Sequence, residues 1–350
     1  MKRITALLLF LALLLTGCGV TVEYPGSLSS NAGLPDADTL QVHFIDVGQA
    51  DCILLECGGE FLLIDGGNVD DSSLVVTYLE NQGVEELAAV VCTHAHEDHV
   101  GGLPAVLAVY PTQAVYAPTT TYSSRCFDDF MYYVNQQDLT VQLPVPGDTI
   151  SLGSATATIL GPVKAYPDAN NTSIVLRVEF GDTAFLFTGD MEKEAESDML
   201  NYWEDRVDWH SDVLKAGHHG SSTSTSYRFL DQVDPAYAVI SCGKDNSYGH
   251  PHQETVSLLR GTGVSMFRTD RLGTILAVSD GREVTLTWEN QQAVPDNVEQ
   301  ADTVYIGNVN SRKFHLPTCT GLPAEQNQII FSSYREAMDA GYSPCSHCLG

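Results

Sequence analysis

The chain has 350 residues, enough for about two domains and for a core that needs no disulfide framework. Forty-five acidic residues against 17 basic ones give a net charge of −28, which excludes recognition of a phosphate backbone by general electrostatics; phosphodiester chemistry on such a chain requires bound cations. With 43% hydrophobic and 18% charged residues the composition is otherwise that of an ordinary globular protein, and the acidity suits an exported bacterial protein kept soluble by its charge.

At the N-terminus, Lys2 and Arg3 precede an apolar run, residues 6–15, that is too short for a membrane-spanning helix. It ends in Leu15-Thr16-Gly17-Cys18, which resembles the bacterial lipobox. The expectation is a signal peptide over 1–18, a lipid on Cys18 and a lipoprotein held on the outer side of the cell membrane. The alternative is an ordinary cleaved signal peptide with an incidental cysteine. Residues 19–38, rich in Ser, Gly, Pro and Asn, read as a flexible tether.

From 39 to 290 short apolar runs alternate with helical stretches. Strands are expected at 41–47, 52–57 and 60–64, a helix at 72–81 and a buried strand at 88–92. A helix at 103–110, a strand at 114–117 and a helix at 127–136 follow. Strands at 155–159, 173–179 and 183–187 then lead to a helix at 192–203 and a strand at 213–215. The pattern closes with a helix at 225–232, a strand at 237–241, a helix at 253–260 and strands at 265–268, 274–278 and 283–288. Strands outnumber helices and the helices fall in two groups, which predicts an α/β (α+β) chain with a β-sandwich covered by helices on both outer faces. The polar stretch 291–302 reads as a linker, and 303–350 as a separate small unit.

Thr93-His94-Ala95-His96-Glu97-Asp98-His99 is the strongest chemical signal: four ligand-type side chains within six residues of a chain holding eleven histidines. It follows an apolar strand and precedes a Gly-Gly pair that opens a helix. His94 and His96 alternate and can point the same way from an extended loop, while Asp98 and His99 sit where the loop turns into the helix and can serve a neighbouring ion. Two cations that share a water supply a nucleophile at neutral pH.

This loop resembles that of the metallo-β-lactamase superfamily, which binds two metals there. The wider pattern is similar to the hydrolase domain of ComEC-type competence proteins. His43-Phe44-Ile45-Asp46-Val47-Gly48-Gln49-Ala50-Asp51, Leu63-Ile64-Asp65-Gly66-Gly67, Phe187-Thr188-Gly189-Asp190, Leu214-Lys215-Ala216-Gly217-His218-His219-Gly220-Ser221, Gly249-His250-Pro251 and Arg268-Thr269-Asp270 occur in that family's order. Alanine stands at position 50 where the family usually has glycine. The resemblance implies an αββα sandwich with two divalent ions, zinc or manganese. Their ligands would be His94, His96, Asp98, His99, Asp190 and His218, with Asp65 bracing the His loop. Asp98, His219 and His250 then carry catalysis, the two histidines facing the substrate, and Ser221 either binds a phosphate oxygen or caps a helix. Residues 100–189 contain no histidine, although many superfamily members have a ligand there. Asn171 is the candidate replacement through its amide oxygen, a harder donor that would favour manganese.

His315-x3-Cys319 with Cys345-x2-Cys348 has zinc-ligand spacing and resembles the zinc module of Ada-type repair proteins over about 303–350. That module uses four cysteines; His315 in place of the first argues against its methyl-accepting chemistry. The expectation is one structural zinc on His315, Cys319, Cys345 and Cys348, with His347 as a spacer, and the alternative is a disulfide among the three cysteines. Cys52, Cys57, Cys92, Cys126 and Cys242 read as small buried hydrophobes. The functional expectation is a metal-dependent phosphodiesterase or nuclease acting on extracellular DNA or nucleotides, without a transmembrane channel of its own. Two alternatives remain: a hydrolase of another ester, thioester or lactam on the same fold, and a non-catalytic binding lipoprotein.

Overall fold

The computed structural model describes residues 39–296 and 304–349. The signal segment, Cys18 and the tether lie outside the described residues. Among these no helix is long and apolar enough to cross a membrane.

Two sheets stack face to face. The first runs, from edge to edge, Val284–Trp288, Ile275–Ser279, Leu40–Phe44, Ile53–Cys57, Glu60–Ile64, Ala89–Val91, Val115–Tyr116 and Val141–Gln142. The second runs Ser265–Arg268, Tyr237–Ile240, Val213–Lys215, Thr183–Phe187, Val175–Phe180, Ala155–Gly161 and Thr149–Leu152. Alternation explains the division of faces. In Ala155–Gly161 the odd positions Ala155, Ala157 and Ile159 are buried while Thr156 is exposed, so one face of the strand meets the opposite sheet. Phe44, Leu55, Ile64 and Val91 from one sheet meet Leu176, Phe185, Phe187 and Val239 from the other in a common apolar layer. Helices Ser72–Asn81, Leu103–Val109 and Arg125–Gln136 cover the first sheet, and Lys193–Trp203, Tyr227–Val233 and Gln253–Gly261 cover the second. This is the αββα sandwich.

Within each sheet one block of strands is parallel: Glu60–Ile64 with Ala89–Val91, and Thr183–Phe187 through Val213–Lys215 and Tyr237–Ile240 to Ser265–Arg268. The loops that leave the carboxyl ends of these strands carry Asp65, the His94–His99 run, Asp190, the His218-His219 pair and His250. Loops at the carboxyl ends of parallel strands are where open α/β sheets place ligands.

Beyond the sandwich, Tyr305–Asn308, Lys313–His315, Gln328–Phe331 and Ser343–Pro344 form a four-stranded sheet backed by the short helix Tyr334–Asp339. The unit has its own sheet but not its own core. Tyr305, Phe314, Phe331, Tyr334 and Leu349 join one apolar cluster with Leu230, Leu258 and Leu259 of the sandwich's outer helices. A unit this small buries too little surface to stand alone. Contact is close enough that a Cβ on Gly261 would lie 2.3 Å from the Tyr334 ring. Arg335 adds an ion pair to Asp234 at 3.0 Å, and Tyr227 donates to Asp339 at 2.9 Å. Nor is the described part of the linker free chain: Asp296 pairs with Met266, and the Trp288 indole donates to Ala293.

Candidate metal centre

The His loop is placed by backbone before any side chain acts. Gly66 and Gly102 cross so closely that a Cβ on Gly102 would sit 2.0 Å from the Gly66 carbonyl oxygen. The turn after Glu60–Ile64 is thereby locked against the helix that follows the histidines. Asp65, at that turn, is fully buried in a left-handed conformation (φ 58°), a strained state for a residue with a side chain. Its carboxylate accepts from the Thr93 N–H and hydroxyl, both at 2.7 Å, and lies 2.8 Å from His99 Nδ1. Asp65 thus holds the loop and turns the other nitrogen of His99 inward, toward Asp190.

The free nitrogen, His99 Nε2, faces Asp190 Oδ1 at 3.3 Å. His219 Nε2 lies 3.3 Å from Asp98 Oδ2 and 3.7 Å from Asp190 Oδ2. One donor atom from each of Asp98, His99, Asp190 and His219 falls within 4.8 Å of all the others. Tetrahedral ligands at about 2.0–2.1 Å from a zinc ion are ~3.3 Å apart, so the spacing suits an ion at the centre. His99 Nε2, Asp190 Oδ1 and His219 Nε2 are buried and have no hydrogen-bond partner. Buried polar atoms left unpaired are costly, and three aimed at one point fit a divalent cation. Burial alone would strip His219 of its proton, yet Asp190 and Asp51 hold its pKa up at about 10. A metal entering here therefore displaces a proton.

A second donor group lies on the other side of Asp190. His94 Nε2 is 3.0 Å from His96 Nδ1 and 3.9 Å from Asp190 Oδ2, and His218 Nε2 is 3.6 Å from the same oxygen. The His218 side chain is more open to solvent than that of His219, and Nδ1 faces Thr223 Oγ1 at 3.2 Å and Glu192 at 3.4 Å.

Three sequence expectations change. His219, read as facing the substrate, is turned into the Asp98–His99–Asp190 group instead and is 1% exposed. Both His218 and His219 have left-handed backbones (φ 50° and 53°), and both rings come to Asp190 Oδ2, at 3.6 and 3.7 Å. Asn171 is tied into the neighbouring turn: its Oδ1 accepts the Glu192 N–H at 3.0 Å and its Nδ2 donates to Asp168 at 3.1 Å. Ser221 neither reaches outward nor caps a helix. It is buried, with Oγ 3.1 Å from Thr223 Oγ1 and accepting the Thr223 N–H, while Ser226 caps Tyr227–Val233.

His250 sits at the rim, its ring 5.6 Å from that of His218 and 6.3 Å from that of His219. Gln49 Oε1 accepts the Gly243 N–H, so the amide nitrogen faces His250 Nδ1 at 3.3 Å. Nδ1 is therefore the acceptor and Nε2 carries the proton. Burial, then the neighbouring histidines, lower the His250 pKa to about 4, which keeps it neutral.

Sequence reasoning missed an ion pair beneath the centre. Lys215 Nζ meets Asp51 Oδ2 at 2.8 Å with both side chains essentially inaccessible, and Asp51 Oδ1 stands 3.4 Å from His219 Nδ1. His219 Nδ1 also donates to the Ser241 carbonyl at 3.0 Å. The pair thus backs His219 as Asp65 backs His99. A lysine closing an apolar strand was the available signal.

In the C-terminal unit His315, Cys319, Cys345 and Cys348 converge within 4.8 Å, largely buried. His347 bonds Thr320 at 3.0 Å and stays outside the set. No disulfide links any of the described cysteines, and one imidazole with three thiols is a zinc-type donor set.

Comparison with known proteins agrees. Residues 45–244 match the metallo-beta-lactamase superfamily, and residues 289–349 match the metal binding domain of Ada. ComE operon protein 3 of Bacillus subtilis is 31% identical over 254 residues, 67% of this chain and 32% of that protein. Competence protein ComA of Neisseria gonorrhoeae is 32% identical over 233 residues, 66% of this chain and 31% of its own. The chain spans about a third of the length of these curated relatives.

Proposed function

We propose that this chain, which belongs to the metallo-β-lactamase superfamily and ends in an Ada-type metal-binding domain, is a phosphodiesterase or nuclease acting on DNA or nucleotides outside the cell membrane. Its family makes it a metal-dependent hydrolase; the substrate and the place of action are our reading. The observation that carries the reading is Asp190, a buried carboxylate whose Oδ1 faces His99 and whose Oδ2 faces His94, His218 and His219. Such a carboxylate suits two cations side by side, and two cations supply the positive charge that a chain of net charge −28 otherwise lacks for a phosphate. A relative named for competence, ComA of Neisseria gonorrhoeae, favours a nucleic-acid substrate.

Two divalent ions, zinc or manganese, would be held by His94, His96, His218 and Asp190 on one side and by Asp98, His99, His219 and Asp190 on the other. Bound there, they would lower the pKa of a shared water to about 7 and neutralise charge building on the phosphoryl oxygens. With Asn171 occupied elsewhere, the case for manganese rests on the two aspartates alone. Asp65 and the Asp51–Lys215 pair hold His99 and His219 in the orientation that points Nε2 inward. His250, held neutral, can donate a hydrogen bond from its Nε2–H to a phosphoryl or leaving oxygen and so stabilise the charge that develops there. A lipid on Cys18 would tether the enzyme to the membrane, a placement that rests on the sequence of the N-terminus alone.

The test is hydrolysis of bis-p-nitrophenyl phosphate and of DNA by protein stripped of metal and reloaded with zinc or manganese. We expect metal-dependent cleavage that Asp98→Ala/His99→Ala abolishes. Absence of cleavage at full metal occupancy would sink the phosphodiester reading in favour of another ester or thioester.

A further inference from the structure

We propose that Tyr248 and Tyr122 are stacking platforms for unpaired bases on the two sides of the scissile phosphate, so that the preferred substrate is a single strand. The inference rests on the phosphodiester reading above. Seven rings form one continuous row through the metal centre. Tyr122 packs on His96 at 6.2 Å between centroids, His96 on His94 at 4.7 Å, and His94 on His99 at 4.1 Å. His99 then meets His219 at 5.3 Å, His219 meets His250 at 6.3 Å, and His250 stacks on Tyr248 at 5.6 Å with planes 24° apart. The imidazoles occupy the middle and the two tyrosines occupy the ends.

Tyr248 is the most exposed tyrosine among the described residues, at 67%. It is not on a loose tip. Asn246 Nδ2 donates to the carbonyls of Gly243 and His250, and Asn246 Oδ1 accepts the His250 N–H, closing the loop on itself. His252 accepts the Ser222 N–H on Nδ1, so its Nε2 carries the proton and donates to the Tyr248 carbonyl at 3.2 Å. The backbone is thus tied on both sides while the ring stays in solvent, one face against His250. Tyr122, 36% exposed, is braced by Phe127 at 6.1 Å.

Charge makes such platforms necessary. A net charge of −28 gives the molecule no general attraction for a nucleic-acid strand. Stacking is indifferent to charge and to base identity, and contributes roughly tenfold or more in affinity per base. Paired bases have both faces covered by their neighbours, so a duplex cannot use it.

The experiment compares kcat and KM of the metal-loaded protein for oligothymidylate and for an abasic strand of the same length. We expect wild type to show a KM about tenfold or more lower for oligothymidylate, with kcat less affected. Tyr248→Ala should raise the oligothymidylate KM by about tenfold and erase much of the distinction between the two strands. Tyr248→Phe, which keeps the ring, should restore it, and Tyr122→Ala should act in the same direction. Wild type that does not distinguish the strands, or Tyr248→Ala that keeps the full distinction, overturns the platforms. Cleavage of bis-p-nitrophenyl phosphate without cleavage of oligothymidylate overturns the platforms alone. Cleavage of neither removes the phosphodiester reading and the platforms with it.

Discussion

The hydrolase centre gathers nitrogen and oxygen donors from several loops at the ends of two sheets, whereas the C-terminal centre gathers one imidazole and three thiols from two turns of a single small sheet. The first is braced by the fold around it. Asp65 orients His99, the Asp51–Lys215 pair backs His219, and the apolar layers of the sandwich hold all of them in place. Asp98 keeps part of its surface in solvent, as a site that must admit a substrate requires. In the second, four donors close on one another in a unit that borrows its core from the neighbouring domain. One centre is thus a site the fold builds, and the other a staple that helps build the fold.

That contrast breaks most sharply on removal of the C-terminal metal. Structural zinc in small domains contributes ~10–16 kcal/mol of apparent binding energy, so Cys345→Ser or chelation should leave residues after 304 open to proteolysis while the sandwich survives. Mass spectrometry of a limited digest reads the result, and an equally resistant C-terminal unit without metal would erase the distinction. Next comes Lys215→Met, which leaves the Asp51 charge buried and uncompensated. The expected loss is about 3–5 kcal/mol in denaturant unfolding. Asp51→Leu added to it should recover much of that stability without recovering metal affinity in the hydrolase centre. Asp65→Asn should weaken metal binding there about 10–100-fold and leave the C-terminal zinc untouched, as titration calorimetry would show. The smallest effect is expected from Arg335→Ala, which breaks two part-exposed ion pairs across the seam, to Asp231 and Asp234, each worth less than ~1 kcal/mol.

Periodicity made most of the sandwich legible. The helix Ser72–Asn81 and the strands Glu60–Ile64, Thr183–Phe187, Val213–Lys215 and Ser265–Arg268 stand where alternation and apolar runs put them. The strands Val141–Gln142 and Thr149–Leu152 and the C-terminal sheet escaped because they are two to four residues long and partly polar, too short for a period to register. The His94–His99 run and Asp65 were readable because spacing and strand ends speak for them. The direction of His219 was not: two adjacent histidines carry no sign of the left-handed backbone that brings both rings to Asp190. Asn171 misled because a side-chain amide serves equally well as a ligand or as the tie of a turn, and only its bonds to Asp168 and Glu192 decide. Asp51 and Lys215 lie far apart in the chain and share no motif that would announce a pair.

The most direct measurement is the metal content of the purified chain and of Asp98→Ala/His219→Ala after dialysis, read by mass spectrometry of the bound ions. The account predicts that the variant loses metal from the hydrolase centre, keeps the C-terminal zinc and remains folded. Equal metal content in the two proteins would contradict the assignment of Asp98, His99, Asp190 and His219 as a metal centre.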